Sequence, residues 1–400
     1  MPKKRGIKRE ILDLEKDKRG ASFGTIVAVI GAILIALGFA WLLAQNWHEI
    51  PSILKVIILV GLTSIAYIIA IVLREYEYPD IAKALFVVGA LLYTLSVFLI
   101  AQTYSTSTSL QGTALLLLIC WVGVIFVAYL FNSYTSLVIA LIEFLFWINY
   151  QFIAFVEATH NVPALGYFSL LLLMAGIFFY GLSLLHNSFD HKFSKLYKYW
   201  TAFYFLSITF VLSFQYVVQR IWSGDANLPI MGLMFLLIFG VIAAVIFIAG
   251  IFLSFNKQKV SEKEILGIFI VIIVLIGLIF LTMISSNVSE RSNWYGGSAN
   301  MPISVWFVWI VVNIFFVLLI LTVIGYGSLN KSKEIINLGI SFFILDIATR
   351  YIGFLIDLGG YTTFSIIAIV GGISLIVLGF LISWMTTKWR KKLIEDSQNE

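Results

Sequence analysis

The stretch FGTIVAVIGAILIALGFAWLL, residues 23–43, decides the fold because it carries no charged residue and is long enough to cross a membrane. A membrane-spanning helix needs roughly 20 apolar residues to cross a hydrocarbon core of about 30 Å. Similar runs follow along the chain, which is 61% hydrophobic and 12% charged, with a mean hydropathy of +1.01. The runs are continuous and do not alternate in polarity, which excludes a transmembrane β-barrel. The sequence therefore predicts an all-α, polytopic transmembrane helical bundle.

The number of spans follows from the spacing of these runs. The first run is longer than the apolar core of a signal peptide and further runs follow it, so we expect it to remain as the first span. We predict twelve spans, at approximately 24–45, 52–73, 81–101, 112–131, 134–156, 162–185, 198–219, 228–254, 264–285, 303–326, 335–356 and 361–384.

The positions of the basic residues predict the orientation in the membrane. Cytoplasmic segments carry an excess of Lys and Arg. If the N-terminus is cytoplasmic, most of the 26 Lys and Arg residues fall in cytoplasmic segments, and the exceptions are Lys55, Arg220, Arg291 and Arg350. We therefore predict a multi-pass protein of the cell membrane with cytoplasmic N- and C-termini.

The chain divides into a membrane part and two charged ends. We predict a short charged cytoplasmic segment at 1–23, an N-terminal membrane half at 24–156, a C-terminal membrane half at 157–385 and a charged cytoplasmic tail at 386–400. The net charge of +5 is placed at helix ends, as membrane orientation requires, so we expect no nucleic-acid partner. The only cysteine, Cys120, excludes an intrachain disulfide.

Two similar polar motifs end the first and third predicted spans, AQNW at residues 44–47 and AQTY at residues 101–104. Trp and Tyr suit a membrane interface because their rings are apolar and their N–H or O–H group reaches water. A glutamine amide that faced lipid would be costly, so we expect the two helix ends to pack inward against each other. The predicted outer-interface motif consists of Gln45, Asn46, Trp47, Gln102 and Tyr104.

The segment GAILIALGFAWLLAQNWHEIP at 31–51, followed by AQTYS at 101–105, resembles the predicted integral membrane protein family catalogued as domain of unknown function 2157. Its members show a glycine-rich first helix that ends in Ala-x-Asn-Trp, then a proline, and later Ala-Gln-x-Tyr. The matching positions here are Ala44, Asn46, Trp47, Pro51, Ala101, Gln102 and Tyr104. The resemblance covers about residues 24–155 and implies a membrane protein, with no activity to carry over.

Three polar side chains lie within the late predicted spans. Asp346 and Arg350 are four residues apart, which places them on one helix face as an intrahelical ion pair. The pair is either structural or opens to admit a proton or an anion. Asn313 in the tenth span is expected to join two helices by a hydrogen bond.

Glu143 lies in the fifth predicted span, which contains no basic partner. Its partner is therefore on another helix, or the carboxyl is protonated, because burial without a counter-charge favours the neutral form. Two interpretations remain open for this residue. It is a proton-binding carboxyl in a cavity, or a neutral acid that is hydrogen-bonded to the backbone of a neighbouring helix.

The sequence contains none of the common catalytic or phosphate-binding motifs. We therefore predict that the protein is not an enzyme and has no catalytic residues. His48, Glu49, Glu157 and His160 lack the spacing of a metal motif, so we predict no metal and no cofactor.

The leading functional hypothesis is binding or transport of a small solute or ion within the helical bundle. The alternative is a non-transporting membrane sensor or scaffold, whose interior polar residues only join helices. A membrane-embedded lipid-modifying enzyme comes third, because no acidic or histidine cluster lies on a loop. The lipid bilayer is the expected partner in every case, and the oligomeric state is left open.

Overall fold

The computed structural model describes residues 51–76, 78–104, 109–159, 165–220, 229–289 and 303–357, with isolated positions between 30 and 50. These residues form helices and contain no strand. The helices are α1 Ser52–Glu75, α2 Pro79–Tyr104, α3 Leu110–Leu130, α4 Tyr134–Thr159, α5 Leu165–Ser188, α6 Ser194–Leu212, α7 Gln215–Arg220, α8 Ile230–Asn256, α9 Glu262–Ser289, α10 Ile303–Leu329 and α11 Lys333–Asp357.

Proline and serine mark the starts of several helices. Pro51 precedes α1, Pro79 is the first residue of α2, and Pro229 precedes α8. Proline is favoured there because its fixed φ suits the first turn and its missing N–H would have no partner. The Ser109 side chain caps α3 by accepting a hydrogen bond of 3.1 Å from the Gly112 amide.

Four connections are tight turns of the same kind, each with one non-glycine residue in the left-handed region at φ between 49 and 53°. In each turn, the next residue donates its N–H to the carbonyl five residues before it, at 2.8 to 3.0 Å. This is the Schellman motif, which satisfies carbonyls at a helix end. The left-handed residues of these Schellman turns are Asn132, Asp190, Gln258 and Lys331, which follow α3, α5, α8 and α10.

Eight helices are long and apolar enough to cross a membrane, among the residues that the structure describes. They are α1, α2, α3, α4, α5, α8, α9 and α10, and each overlaps one predicted span. The all-α, multi-pass prediction is therefore confirmed for the described ranges. The twelve spans and the cytoplasmic termini stay predictions.

The remaining predicted spans have three outcomes. The span predicted at 198–219 is wrong as a single helix, because α6 ends at Leu212 and α7 begins at Gln215. The span predicted at 335–356 forms the helix α11, which is not among the eight apolar ones. The spans at 24–45, apart from isolated helical positions, and at 361–384 lie outside the described residues.

The chain forms two compact units. Unit 1 takes the described residues of Met1–Leu171, Gly181–Leu196 and Trp222–Val260, and unit 2 those of Leu172–Tyr180, Tyr197–Ile221 and Ser261–Glu400. The units interleave along the chain, so they do not test the predicted division at residue 157, which stays a prediction.

Unit 1 packs α1 against α2 and α3 against α4, and α2 also contacts α3 and α4. In the α1–α2 pair, Gly89 leaves space for the Tyr67 ring, which would lie 2.7 Å from an added Cβ atom. Between α3 and α4, the rings of Trp121, Phe144 and Trp147 have centroids 5.3 to 5.9 Å apart. Aromatic side chains therefore fill much of the space between the helices of unit 1.

In unit 2, α10 packs against α9 and α11, and the short α7 contacts both α9 and α10. The Phe210 ring of α6 contacts Phe316 of α10 and Phe342 of α11. These helices bring together the polar residues described next.

Candidate binding site

Unit 2 contains a cavity of about 230 Å³ with a polar end and an apolar end. Three helices line it in the same way, each with a polar residue and, seven residues away, an apolar one. Seven residues are two helical turns, or roughly 10 Å. The pairs are Lys198 and Phe205 on α6, Glu264 and Val271 on α9, and Tyr326 and Leu319 on α10.

The polar end, formed by Tyr180, Lys198, Lys263, Glu264 and Tyr326, is held by hydrogen bonds that converge on one carboxylate oxygen. Lys198 Nζ donates to Glu264 Oε1 at 2.8 Å and to the Tyr326 hydroxyl at 2.9 Å. The hydroxyls of Tyr326 and Tyr180 also donate to Glu264 Oε1, at 3.1 and 3.4 Å. The ion pair is largely buried, with 20% and 23% of the two side chains exposed. A buried pair needs such additional hydrogen bonds to offset its desolvation.

The formal charge of this polar end is positive. Lys263, an exposed residue of α9, lines the same cavity as Lys198 and Glu264. Two ammonium groups and one carboxylate leave a net charge of +1. The cavity can therefore attract a molecule with an anionic group and an apolar body.

Sequence reasoning missed this site. Lys198 and Lys263 counted only as markers of orientation, and Glu264 fell at the start of a predicted span. The available signal was an acidic residue in the first turn of one span and a lysine at the start of another, both at the predicted cytoplasmic side. The sequence does not show that these two helices are neighbours.

A second polar cluster surrounds the break between α6 and α7. The Val217 amide bonds to the Phe214 carbonyl at 3.0 Å, so the Ser213 carbonyl has left the regular helical pattern. Side chains from α10 and α11 bond to it instead. Trp309 Nε1, Asn313 Nδ2 and Arg350 Nη2 donate to the Ser213 carbonyl at 2.8, 3.2 and 2.7 Å.

Three of the predicted site residues meet in this Ser213 cluster. Arg350 Nε donates to Asp346 Oδ1 at 3.2 Å, which confirms the predicted intrahelical ion pair. Arg350 Nη2 also donates to Asn313 Oδ1 at 2.9 Å, so the prediction that Asn313 joins two helices is confirmed as well. The Phe214 ring covers the guanidinium, with its centroid 5.0 Å from Arg350 Cζ.

The fourth predicted residue, Glu143, lies in unit 1 with 6% of its surface exposed. Its Oε1 atom is in hydrogen-bond contact with the Thr94 hydroxyl of α2. Glu143 therefore has a partner on another helix, which is one of the two predicted alternatives. This partner is a side chain and not the backbone of the neighbouring helix. Glu143 Oε2 is buried without a hydrogen-bond partner among the described residues.

The outer-interface motif is only partly described. Gln45 and Gln102 are both exposed, so the expectation that the two amides pack inward is wrong. An exposed amide at a helix end can bond to interfacial water, which removes the need for a protein partner. Tyr104 is 64% exposed, and its position at a membrane interface stays a prediction. Asn46 and Trp47 lie outside the described residues.

A cluster of cations lies near two Schellman turns of unit 1. Arg74 Nη1 donates to the Phe131 carbonyl at 2.6 Å, and Lys192 Nζ donates to the Asn132 carbonyl at 2.5 Å. Cations are favourable at a helix C-terminus because the helix dipole is negative there. Burial lowers the pKa of Lys192, and the charge of Arg74 lowers it further. Burial also lowers the pKa of the adjacent His191.

The described residues contain no group of three or more His, Cys, Asp or Glu side chains that could hold a metal ion. Of the four residues considered for zinc, Glu157 is exposed at the end of α4, and His48, Glu49 and His160 lie outside the described residues. The predicted absence of a metal and a cofactor stays a prediction.

Comparison with known proteins gives a match to a family model. The chain matches no curated protein and no solved structure. Residues 5–137 match the model of the family described as Predicted membrane protein (DUF2157), which confirms the resemblance drawn from the Ala44–Pro51 and Ala101–Tyr104 motifs.

Proposed function

We propose that this membrane protein binds a small amphiphilic solute with an anionic group in the cavity of unit 2 and carries it across the membrane. The observation that carries the proposal is the set of residues that line the cavity. Its polar end holds two lysines and one glutamate, and its other end is lined by Phe205, Val271 and Leu319. Apolar walls with a few convergent polar groups are typical of small-molecule sites.

The helix break supports transport in addition to binding. Discontinuous helices are a recurrent feature of transporters, where an unwound backbone forms or closes a solute path. Here α6 lines the cavity from Lys198 to Phe205, and the Ser213 cluster lies just after its end. Lys198 and Ser213 are 15 residues apart, or roughly 22 Å along a helix. The Ser213 cluster then serves as the closed barrier on the side opposite the polar end.

The same proposal includes twelve spans and cytoplasmic termini. The four Schellman turns and the turn after α1 all fall at positions that the charge pattern predicts to be cytoplasmic. Lys198 and Lys263 lie at that side too, so the polar end of the cavity would open toward the cytoplasm. An anionic group would therefore meet the site from inside the cell.

Binding is tested with octanoate, which has a carboxylate and a short apolar chain. We expect octanoate to raise the unfolding temperature of the purified protein, because a ligand at 100 times its Kd stabilises the folded state by about 2.7 kcal/mol. Octyltrimethylammonium, which has the opposite charge, should give no such shift. The measurement is tryptophan fluorescence during heating in a non-ionic detergent.

The matched variants for this experiment are both on α6. Lys198→Met should abolish the octanoate shift, whereas Lys195→Met, which removes an exposed lysine outside the cavity, should retain it. Equal shifts in the two variants, or equal shifts with the cationic amphiphile, would contradict binding at the polar end of the cavity.

Access of water to the cavity provides an independent prediction. In a Cys120→Ser background, we expect Thr322→Cys to react with a membrane-impermeant thiol reagent in inverted vesicles, because Thr322 lines the cavity. Leu321→Cys is the control, since Leu321 is 58% exposed on the outside of the same helix and would face lipid. Protection of both cysteines would remove the water-filled path and favour a sensor or scaffold.

A further inference from the structure

Glu143 in unit 1 is separate from the cavity of unit 2 and forms a second polar site. Its carboxyl contacts the Thr94 hydroxyl of α2, and two nearby residues of α4, Phe144 and Trp147, pack against the Trp121 ring of α3. A charged carboxylate at such a place costs several kcal/mol without a counter-charge. The state of this carboxyl therefore depends on which groups surround it.

Ionisable groups that face Glu143 from the packed helices carry no positive charge at neutral pH. Tyr67 of α1, Tyr93 of α2 and Cys120 of α3 are close enough to interact with it electrostatically. The helix α8, which reaches α4 through the contact between Phe239 and Phe144, has no ionisable residue. No Lys, Arg or His of the described residues is paired with Glu143.

The helix α5 also contacts α4, through the rings of Phe168 and Phe152. Its only ionisable side chains are Tyr167, Tyr180 and His186. His186 lies near the opposite end of α5 from Phe168, where its Nε2 atom is 2.9 Å from the Tyr129 hydroxyl. It therefore provides no counter-charge to Glu143.

A count of protons around Thr94 indicates the state of Glu143. The Thr94 hydroxyl is within hydrogen-bond distance of two oxygens, the Ala90 carbonyl at 3.0 Å and Glu143 Oε1. A hydroxyl has one proton, so it can donate to only one of them. If Glu143 were a carboxylate, the other contact would bring two lone pairs together.

We propose that Glu143 is a proton-binding site and carries a proton in the folded protein at neutral pH. The carboxyl then donates from Oε1 to the Thr94 hydroxyl, and the hydroxyl donates to the Ala90 carbonyl. Each contact has one proton, and Oε2 becomes the carbonyl oxygen of a neutral acid. Burying this neutral carbonyl oxygen without a hydrogen-bond partner costs less free energy than burying a carboxylate oxygen would.

Unit 1 contains other polar atoms that lack a hydrogen-bond partner within the described part of the chain, in the same way as Glu143 Oε2. The hydroxyl of Tyr67 and the Nε1 atoms of Trp121 and Trp147 are also buried without a hydrogen-bond partner among the described residues. Trp147 is one helical turn from Glu143, and Trp121 follows Cys120. All three are neutral donors, so none of them supplies a counter-charge to Glu143.

Infrared spectroscopy tests the proposal on the purified protein in lipid. At neutral pH the wild type should show the carbonyl stretch of a protonated carboxylic acid, and Glu143→Gln should lose it. Glu157→Gln is the control, because Glu157 is exposed on the same helix and its loss should remove only carboxylate bands. Absence of a protonated-carboxyl band from the wild type would overturn the proposal, whether or not any variant folds.

A second variant tests the hydrogen-bond chain itself. Thr94→Val is similar in shape to threonine but has no hydroxyl, so the carboxyl of Glu143 loses its acceptor. The protonated-carboxyl band should persist and move to higher frequency. A band that stays in place would assign the proton to another residue and overturn the proposal, independently of any result for octanoate.

Discussion

Replacing Gly181 with valine is expected to lower the free energy of unfolding by about 3 kcal/mol, because the substitution forces atoms against the backbone of another helix. An added Cβ atom at Gly181 would lie 2.7 Å from the Phe247 amide nitrogen, and one at Gly250 would lie 2.7 Å from the Gly181 carbonyl oxygen. Neither contact can be relieved by a side-chain rotation. The helices α5 and α8 would have to separate.

Separation of these helices would also break the hydrogen bonds next to the crossing. The Ser254 hydroxyl donates to the Leu184 carbonyl at 2.9 Å and is 2.9 Å from the Ser188 hydroxyl. The measurement is an SDS-induced unfolding titration followed by circular dichroism. Gly61→Ala is the control, since no atom lies within 4 Å of its added Cβ, and it should gain up to about 1 kcal/mol from helix propensity. Equal stability of Gly181→Val and the wild type would exclude the close crossing.

Arg350→Met has the second largest expected effect, a loss of about 2 kcal/mol of unfolding free energy. Removal of one partner from a fully buried ion pair costs about 3–5 kcal/mol, and the exposure of 31% for Arg350 and 16% for Asp346 reduces this here. The variant leaves the Asp346 carboxylate without its counter-charge and removes one donor from the Ser213 carbonyl.

A double variant separates the lost charge from the lost packing. Asp346→Asn in the Arg350→Met background should recover part of the stability, because no uncompensated carboxylate remains. Thr349→Val is the control, as the Thr349 hydroxyl bonds only within its own helix, to Leu345 and Asp346. If the double variant were less stable than Arg350→Met alone, the charge of Asp346 would not be the cause of the loss.

Local spacing predicted the part of the Ser213 cluster that lies within one helix. A four-residue separation was sufficient to place Asp346 and Arg350 on one face. The contacts to Ser213 and Asn313 depend on which helices are neighbours in unit 2, and spacing along the chain contains no such information. The same limitation hid the Lys198–Glu264 pair, whose members are far apart in the sequence.

The break after Leu212 could not be predicted for a related reason. The residues around it, Ser213 and Phe214, include no proline or glycine, so no local signal ends the helix. The Ser213 carbonyl is instead bonded by three side chains from later helices. In contrast, exposure of Gln102 was mispredicted because a helix end at the interface has water as an alternative partner.

The four Schellman turns have a consequence for how the chain enters the membrane. Each turn is so short that the two helices that it joins can leave the ribosome and enter the membrane together as one insertion unit. The left-handed residues Asn132, Asp190, Gln258 and Lys331 then mark positions where a cut or an inserted sequence would divide such a unit. If the helices insert in these pairs, an evolutionary duplication or deletion that respects the pairs keeps the orientation of every later segment.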